Sequence, residues 1–354
     1  MAHLIDSSKG FNAFVSFAAP AWHGLGTVLN NPLSTEDALT QGGLNYNVIK
    51  LPNVHMIPSG DSFEEVISED SFFTLRTDVN KILGSRLGKD YAVMQNIEAL
   101  NVVDEILQAG TATIETAGAI DEGRKVFICL KVAKDIIVGS EDVVKQYVLI
   151  ATSHDGTLSI TAMPTNVRVV CNNTLSAALG QKSKDKIKIR HTTNAAARLT
   201  EAMRVIKLLS TNTVENEENY NVMANTVISK EQMFNYFGNV FCTPQEIKEL
   251  QAGKRAKEVL STRKENILNE VLYFANRGQG QAMAMKGQDL TMWSAYNAVT
   301  GYVTRKKYSS ASDRANSMLF GSAAETIETA GTLALNPAKI QTLSKINFNN
   351  LNLN

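Results

Sequence analysis

This sequence has few residues for metal or thiol chemistry. Its 354 residues include only three cysteines, Cys129, Cys171 and Cys242, and none belongs to a CxxC or CxxH pair. An odd, widely spaced set argues against a disulfide framework, and Cys129 and Cys171 lie in apolar runs where a thiol behaves as a small buried hydrophobe. The five histidines, His3, His23, His55, His154 and His191, never share one helix face at a ligand spacing, so no metal site is expected. No GxxxxGK[ST] run occurs. GlyLeuGly at 24–26 and GlyGlnGly at 278–280 lack the third glycine and the strand-to-helix setting of a dinucleotide loop. No cofactor is expected, and without a compact acidic motif in the central region to hold catalytic metal ions, neither is an enzyme. No apolar run reaches the length of a membrane span, and the start MAHLIDSSKGFNAF lacks a basic region followed by an apolar one. A cytoplasmic protein with no membrane contact is the expectation.

What is present is an ordinary globular composition, 44% hydrophobic and 20% charged, in a chain longer than one core usually serves. The formal net charge of zero conceals two opposite regions. Residues 1–70 contain Asp6, Glu36, Asp37, Asp61, Glu64, Glu65, Glu69 and Asp70 against Lys9 and Lys50. Residues 165–210 contain Arg168, Lys182, Lys184, Lys186, Lys188, Arg190, Arg198, Arg204 and Lys207 against Asp185 and Glu201. Such a basic surplus attracts polyanions.

Patterning predicts an α+β fold. Residues 1–70 read as a loop-rich N-terminal segment with short strands and one helix near 35–40, capped by Ser34 or Thr35. A central α+β domain spans 71–210. Residues 72–76 suggest a strand, 83–89 a turn, and 96–108 one amphipathic helix with Ile97, Leu100, Val103, Ile106 and Leu107 on its apolar face. Strands at 111–120, 124–132, 146–153 and 158–164 are joined by Asp121-Glu122-Gly123 and His154-Asp155-Gly156, whose glycines favour hairpins, giving an antiparallel meander. A short helix at 172–179, a strand at 186–190 and a helix at 194–209 complete this domain. After a polar stretch, residues 211–335 read as a helical C-terminal region, with Thr243, Pro244 and Glu246 marking a helix start. Residues 336–354 form a flexible tail.

Lys182, Lys184, Lys186, Lys188 and Arg190 recur every second residue. In a strand that places each charge on one face, about 6.6 Å apart, near the phosphate spacing of an extended single strand. Lysines that protect a sheet edge from aggregation explain the same pattern. Arg168 is suited to clamp a phosphate, or to pair with a carboxylate such as Asp155. Asn172 and Asn173 suit a helix N-cap, which is compatible with binding an anion there. His154 or His191 beside Cys171 would suggest a thiol nucleophile, but with no orienting third group a buried structural cysteine is the better reading. Trp22 and His23 could stack on bases or anchor the terminal segment. Arg305, Lys306 and Lys307 with Tyr302 and Tyr308 form a second basic and aromatic cluster, or simply a charged helix end.

PAWHGLG (20–26), TAGAIDEGRKVFICLKV (116–132), SHDGT (153–157), RVVCNNTL (168–175), IRHT (189–192) and AYNAVTGYVT (295–304) together resemble the phage and plasmid-like protein family known as domain of unknown function nine-three-two. The resemblance runs through most of residues 20–335. The chain is also remotely similar to the single-strand annealing superfamily of phage recombinases and their eukaryotic counterpart. That similarity implies ATP-independent strand pairing on a ring or filament of subunits, with a basic groove holding the phosphates. The expected partners are therefore single-stranded DNA and further copies of the chain. The expected nucleic-acid contacts are Arg168, Asn172, Asn173, Lys182, Lys184, Lys186, Lys188, Arg190, His191 and Arg198. The alternative is a non-catalytic phage structural or host-interaction protein with no nucleic-acid role.

Overall fold

The structure is a computed structural model that describes residues 4–21, 24–31, 34–139, 142–165, 187–188, 195–277, 290–305 and 322–343. It divides into two compact units, Met1–Asp135 with Lys145–Thr213, and Ile136–Val144 with Val214–Asn354.

In chain order the first unit contains β1 (Phe14–Phe17), β2 (Thr27–Leu29), α1 (Thr35–Gln41), β3 (Val48–Ser59), β4 (Ser62–Arg76), β5 (Lys81–Gly88), α2 (Asn96–Leu100), α3 (Val102–Gln108), β6 (Ala112–Ile120) and β7 (Lys125–Val132). Next come β8 (Ile136–Val138) and β9 (Asp142–Val144), which belong to the second unit. The first unit resumes with β10 (Tyr147–Ser153), β11 (Thr161–Thr165), β12 (Ile187–Lys188) and the start of α4 (Ala195–Asn225). The fold is α+β.

Its main sheet has seven strands in the order β12-β11-β10-β7-β6-β1-β2. From β12 to β1 all neighbours are antiparallel, whereas β1 and β2 pair in parallel. The sheet is therefore mixed, not a pure antiparallel meander. Strand alternation sorts its side chains onto two faces. Val126, Ile128 and Leu130 join Val148 and Ile150 in one apolar cluster, covered by Ala38, Leu39, Leu100, Val103, Ile106, Ala202 and Val205 of the helices. Phe127 and Cys129 join Leu149, Met163 and Phe14 in a second. Burial on both faces explains why these strands read as nearly unbroken hydrophobic runs.

Local chemistry sets the turns and caps. Ser34 Oγ accepts from the Asp37 amide at 3.0 Å while the Asp37 carboxylate accepts from the Ser34 amide at 3.2 Å, a reciprocal cap that starts α1. Asp121, Glu122 and Gly123 have φ of 54°, 58° and 93°, closing the β6–β7 hairpin. Gly26 is required where β2 meets β1, because its φ is 84° and an added Cβ would lie 2.3 Å from the Phe14 carbonyl oxygen.

Four expectations change. The loop-rich reading of residues 1–70 gives way to the long strands β3 and β4, which join β5 in a separate antiparallel sheet. The turn expected at 83–89 is β5. Gly84 is not a turn residue there; it lies against the chain at His154 and Asp155, where a Cβ would come within 2.7 Å of the Asp155 Cα. The helix expected over 96–108 is interrupted at Asn101, and Ile97 is exposed instead of lying on the apolar face. The polar stretch after residue 210 continues α4 as helix. Contacts hold it there: Gln146 Nε2 donates to Thr213 Oγ1 at 3.1 Å, and the Tyr220 and Trp293 rings lie 4.9 Å apart.

The second unit contains α5 (Lys230–Phe241), α6 (Pro244–Gln251), α7 (Ala256–Val259), α8 (Thr262–Arg277), α9 (Met292–Arg305) and α10 (Ser322–Leu335). They pack around Tyr236, Phe237, Leu250, Val271, Trp293, Val299 and Tyr302. Thr243 caps α6 with Pro244 in the first turn and Glu246 accepting from the Thr243 amide. The β8–β9 ribbon, which periodicity did not reveal, inserts Ile136 and Val138 into this core. Its Asp142 accepts from the Trp293 indole at 2.9 Å.

Candidate nucleic-acid interface

Of the ten expected contacts, the described residues include two. Lys188 lies on β12 at the margin of the main sheet, opposite Thr161 of β11, with Ala162 opposite Ile187. Ile187 packs half-buried against the core while Lys188 is exposed, as strand alternation requires. Arg198 falls in the first turns of α4. Arg168, Asn172, Asn173, Lys182, Lys184, Lys186, Arg190 and His191 lie outside the described residues, as do Cys171 and Trp22 with His23.

Further along α4, Ala202 and Val205 enter the core, leaving Arg204 and Lys207 at the surface. The Arg204 guanidinium donates to Glu201 at 2.6 Å, so part of the charge surplus is neutralised within the helix. Tyr302 does not present an aromatic face for stacking. It is buried in the second core, its ring 5.8 Å from Phe241 in an edge-on arrangement.

The most connected polar group instead joins the two sheets of the first unit. Asn96 Nδ2 donates to the Leu44 carbonyl at 2.7 Å, turning its Oδ1 toward His154 Nε2 at 2.8 Å, which makes that ring nitrogen the donor. Burial depresses the His154 pKa to about 4, with a favourable contribution from Asp155 too small to offset it. The imidazole is thus neutral near pH 7. The Tyr46 hydroxyl donates to the Gly123 carbonyl at 2.7 Å, and burial raises its pKa well above that of a free phenol. Thr74 Oγ1 donates to the His154 carbonyl at 2.7 Å and accepts from the Gly84 amide at 2.9 Å. These groups are engaged with backbone and one another, an arrangement that cross-links strands.

The His154-Asp155-Gly156 sequence is a turn. Asp155 accepts from the Thr157 amide at 2.9 Å and hydroxyl at 2.6 Å, and Gly156 has a φ of 77°. Burial would raise the Asp155 pKa, but these hydrogen bonds outweigh it and lower the value. Cys242 ends α5 half-buried, its thiol pushed up to about 11 by burial and by Glu246, which leaves little nucleophilic thiolate at neutral pH. Among the described residues no group of three or more His, Cys, Asp or Glu side chains could hold a metal ion. None of their helices is long and apolar enough to cross a membrane.

A family model described as domain of unknown function (DUF932) matches residues 83–324. No curated protein and no solved structure matches the chain. The matched span contains the TAGAIDEGRKVFICLKV, SHDGT, RVVCNNTL, IRHT and AYNAVTGYVT segments, whereas PAWHGLG precedes it. Because the match extends over more than half of its length, the chain belongs to the DUF932 family.

Proposed function

We propose that this chain is a non-enzymatic single-stranded DNA-binding and annealing protein of a phage or mobile element. It acts without ATP in recombination or replication in the host cytoplasm. The observation that carries this reading is the disposition of β12, with Ile187 on the core and Lys188 exposed at the sheet margin. The two-residue period of Lys184, Lys186, Lys188 and Arg190 in the sequence supports it, because residues two apart in an extended chain share a face at about 6.6 Å intervals, a spacing suited to successive phosphates. The α+β architecture and the basic surplus of residues 165–210 support the same reading, as does the remote similarity to annealing proteins.

The test is fluorescence anisotropy of a labelled single-stranded oligonucleotide at low and high salt. The wild type is compared with a variant in which Lys184, Lys186, Lys188 and Arg190 are changed to Ala. Salt-sensitive binding that the variant loses supports the proposal; a folded wild type that does not bind overturns it. A non-catalytic structural or host-interaction role is the second reading, favoured by the exposed apolar face of the β3–β4 hairpin.

A further inference from the structure

Strands β3 and β4 extend beyond β5. Pairing of β5 with β4 runs only along Ser71–Arg76 and stops with Gly88 opposite Ser71, whereas β3 and β4 stay paired from Val54–Ile67 to Ser59–Ser62. Residues 54–67 therefore form a two-stranded arm that turns at Gly60, where φ is 63°. A two-residue turn closes on a hydrogen-bonded pair, here Ser59 and Ser62, and such pairs alternate with unbonded ones along an antiparallel ladder. The backbone groups of Ser62, Glu64 and Val66 thus face β3, and those of Phe63, Glu65 and Ile67 face away from it.

The two long edges of the arm differ. On β3 the outward positions are Val54, Met56 and Pro58, and Pro58 has no amide hydrogen to offer. Nearer the base Gln95 covers the same edge, its Nε2 donating to the Val48 carbonyl at 2.8 Å and its Oε1 accepting from the Val48 amide at 3.0 Å. On β4 all three outward residues keep an amide and a carbonyl, and none of the hydrogen bonds among the described residues engages them. An open edge that continues the line of β5 is a template for one more strand.

The side chains along that edge specify the strand. Phe63 and Ile67 are 66% and 61% exposed, Val66 is exposed as well, and Glu64 and Glu65 lie between them. Residues 54–70 contain Asp61, Glu64, Glu65, Glu69 and Asp70 and neither lysine nor arginine, so the arm repels nucleic acid and attracts basic groups. A strand laid along Phe63–Ile67 meets one apolar residue, two carboxylates and two apolar residues in turn. Cross-strand pairing then favours two adjacent basic residues flanked by β-branched or aromatic ones.

We infer that the β4 edge of this arm binds an extended basic segment of a partner protein by strand addition. The backbone groups of Phe63, Glu65 and Ile67 supply the hydrogen bonds, and two consecutive Lys or Arg residues of the partner lie against Glu64 and Glu65. This interaction surface is separate from the proposed single-stranded DNA binding and does not rest on it.

Fluorescence anisotropy of a labelled Thr-Val-Val-Lys-Lys-Val-Val-Thr peptide, titrated with the full chain in the absence of nucleic acid, tests it. The peptide reads the same in both directions, so it suits either strand orientation. The wild type should bind it saturably. Glu64→Lys with Glu65→Lys should bind it at least about tenfold more weakly and bind instead a peptide with glutamates in place of the lysines. Circular dichroism of that variant should match the wild type, because both side chains are exposed. Two further peptides, N-methylated at alternate residues in opposite phase, separate strand addition from contact through side chains alone. The phase that blocks the bonded edge should abolish binding, and the other should retain it. A folded wild type that leaves the peptide free, as when a second copy of the chain fills the edge, would overturn the inference. So would undiminished binding by the charge-reversed variant, or equal binding of the two methylated peptides. Because the oligonucleotide titration is a separate measurement, either conclusion can fail alone.

Discussion

The Arg76 guanidinium and the Asp6 carboxylate form a fully buried ion pair, with Nη1 donating to Oδ2 at 2.5 Å and side chains 0% and 2% exposed. Arg76 also donates from Nε to Asp78 at 2.8 Å and from Nη1 to the Glu122 carbonyl at 3.2 Å, and lies 3.9 Å over the Tyr46 ring. Burial alone would lower the Arg76 pKa, but the hydrogen bonds from its guanidinium to Asp6 and Asp78 outweigh it and keep the charge in place. The Asp6 amide in turn donates to the Ala119 carbonyl of β6 at 3.0 Å. One side chain of β4 thus ties the smaller sheet to the N-terminal segment and the main sheet.

Removing one partner of such a pair strands the other charge in the interior. Asp6→Ala should destabilise the fold by about 3–5 kcal/mol, measured as a lowered urea midpoint. Lys9→Ala, which removes a partly exposed contact to Asp78, should cost less than about 1 kcal/mol. Equal losses for the two variants would contradict the structural assignment.

His154 makes stability depend on pH. Its folded pKa of about 4 lies below the ordinary value of 6.5, so the unfolded chain takes up its proton first as the medium is acidified. The contribution is present above pH 6.5 and is lost as pH falls toward about 4, for a total of roughly 3 kcal/mol. His154→Gln should flatten the stability profile over that interval. Asp155, whose pKa is lowered below 3.8, loses its contribution only in stronger acid. Urea unfolding at several pH values separates the two windows.

Glycines with similar backbone angles should differ in cost. Gly60→Ala at the arm tip, with φ of 63° and open space around it, should cost about 1–2 kcal/mol through conformation alone. Gly26→Ala, with φ of 84° and the Phe14 carbonyl in the way, should add roughly 1–3 kcal/mol from overpacking. Thermal unfolding of both variants measures the difference.

If Lys188 contacts a phosphate, Lys188→Ala should weaken single-strand binding similarly for different base sequences. It should also make the slope of log affinity against log salt shallower by about 0.7. An unchanged slope would remove Lys188 from the interface.

The strands at 111–120, 124–132 and 146–153 were legible because their long apolar runs and glycine-terminated turns each point to the same local structure. Ser34 before Glu36 and Asp37, and Thr243 before Pro244 and Glu246, mark helix starts for the same reason: the capping groups are close in sequence. Family membership was legible from motifs spread along the chain. The nucleic-acid ladder rests on a two-residue period, of which the described residues supply Lys188 beside Ile187.

Neighbours within a few residues are enough to set the alternation of the central strands, the hairpin at Gly123 and the helix caps. Other features depend on residues that only folding brings together. Gly84 looks like a turn until His154 and Asp155 occupy the space its missing Cβ leaves, and Arg76 acquires its role only when Asp6, 70 residues away, reaches it. The polar continuation of α4 is helical in the presence of Gln146 and Trp293, and the apolar arm is exposed because β5 ends before reaching it. In each case the deciding atoms are distant in sequence, and local patterning contains no record of distances made by folding.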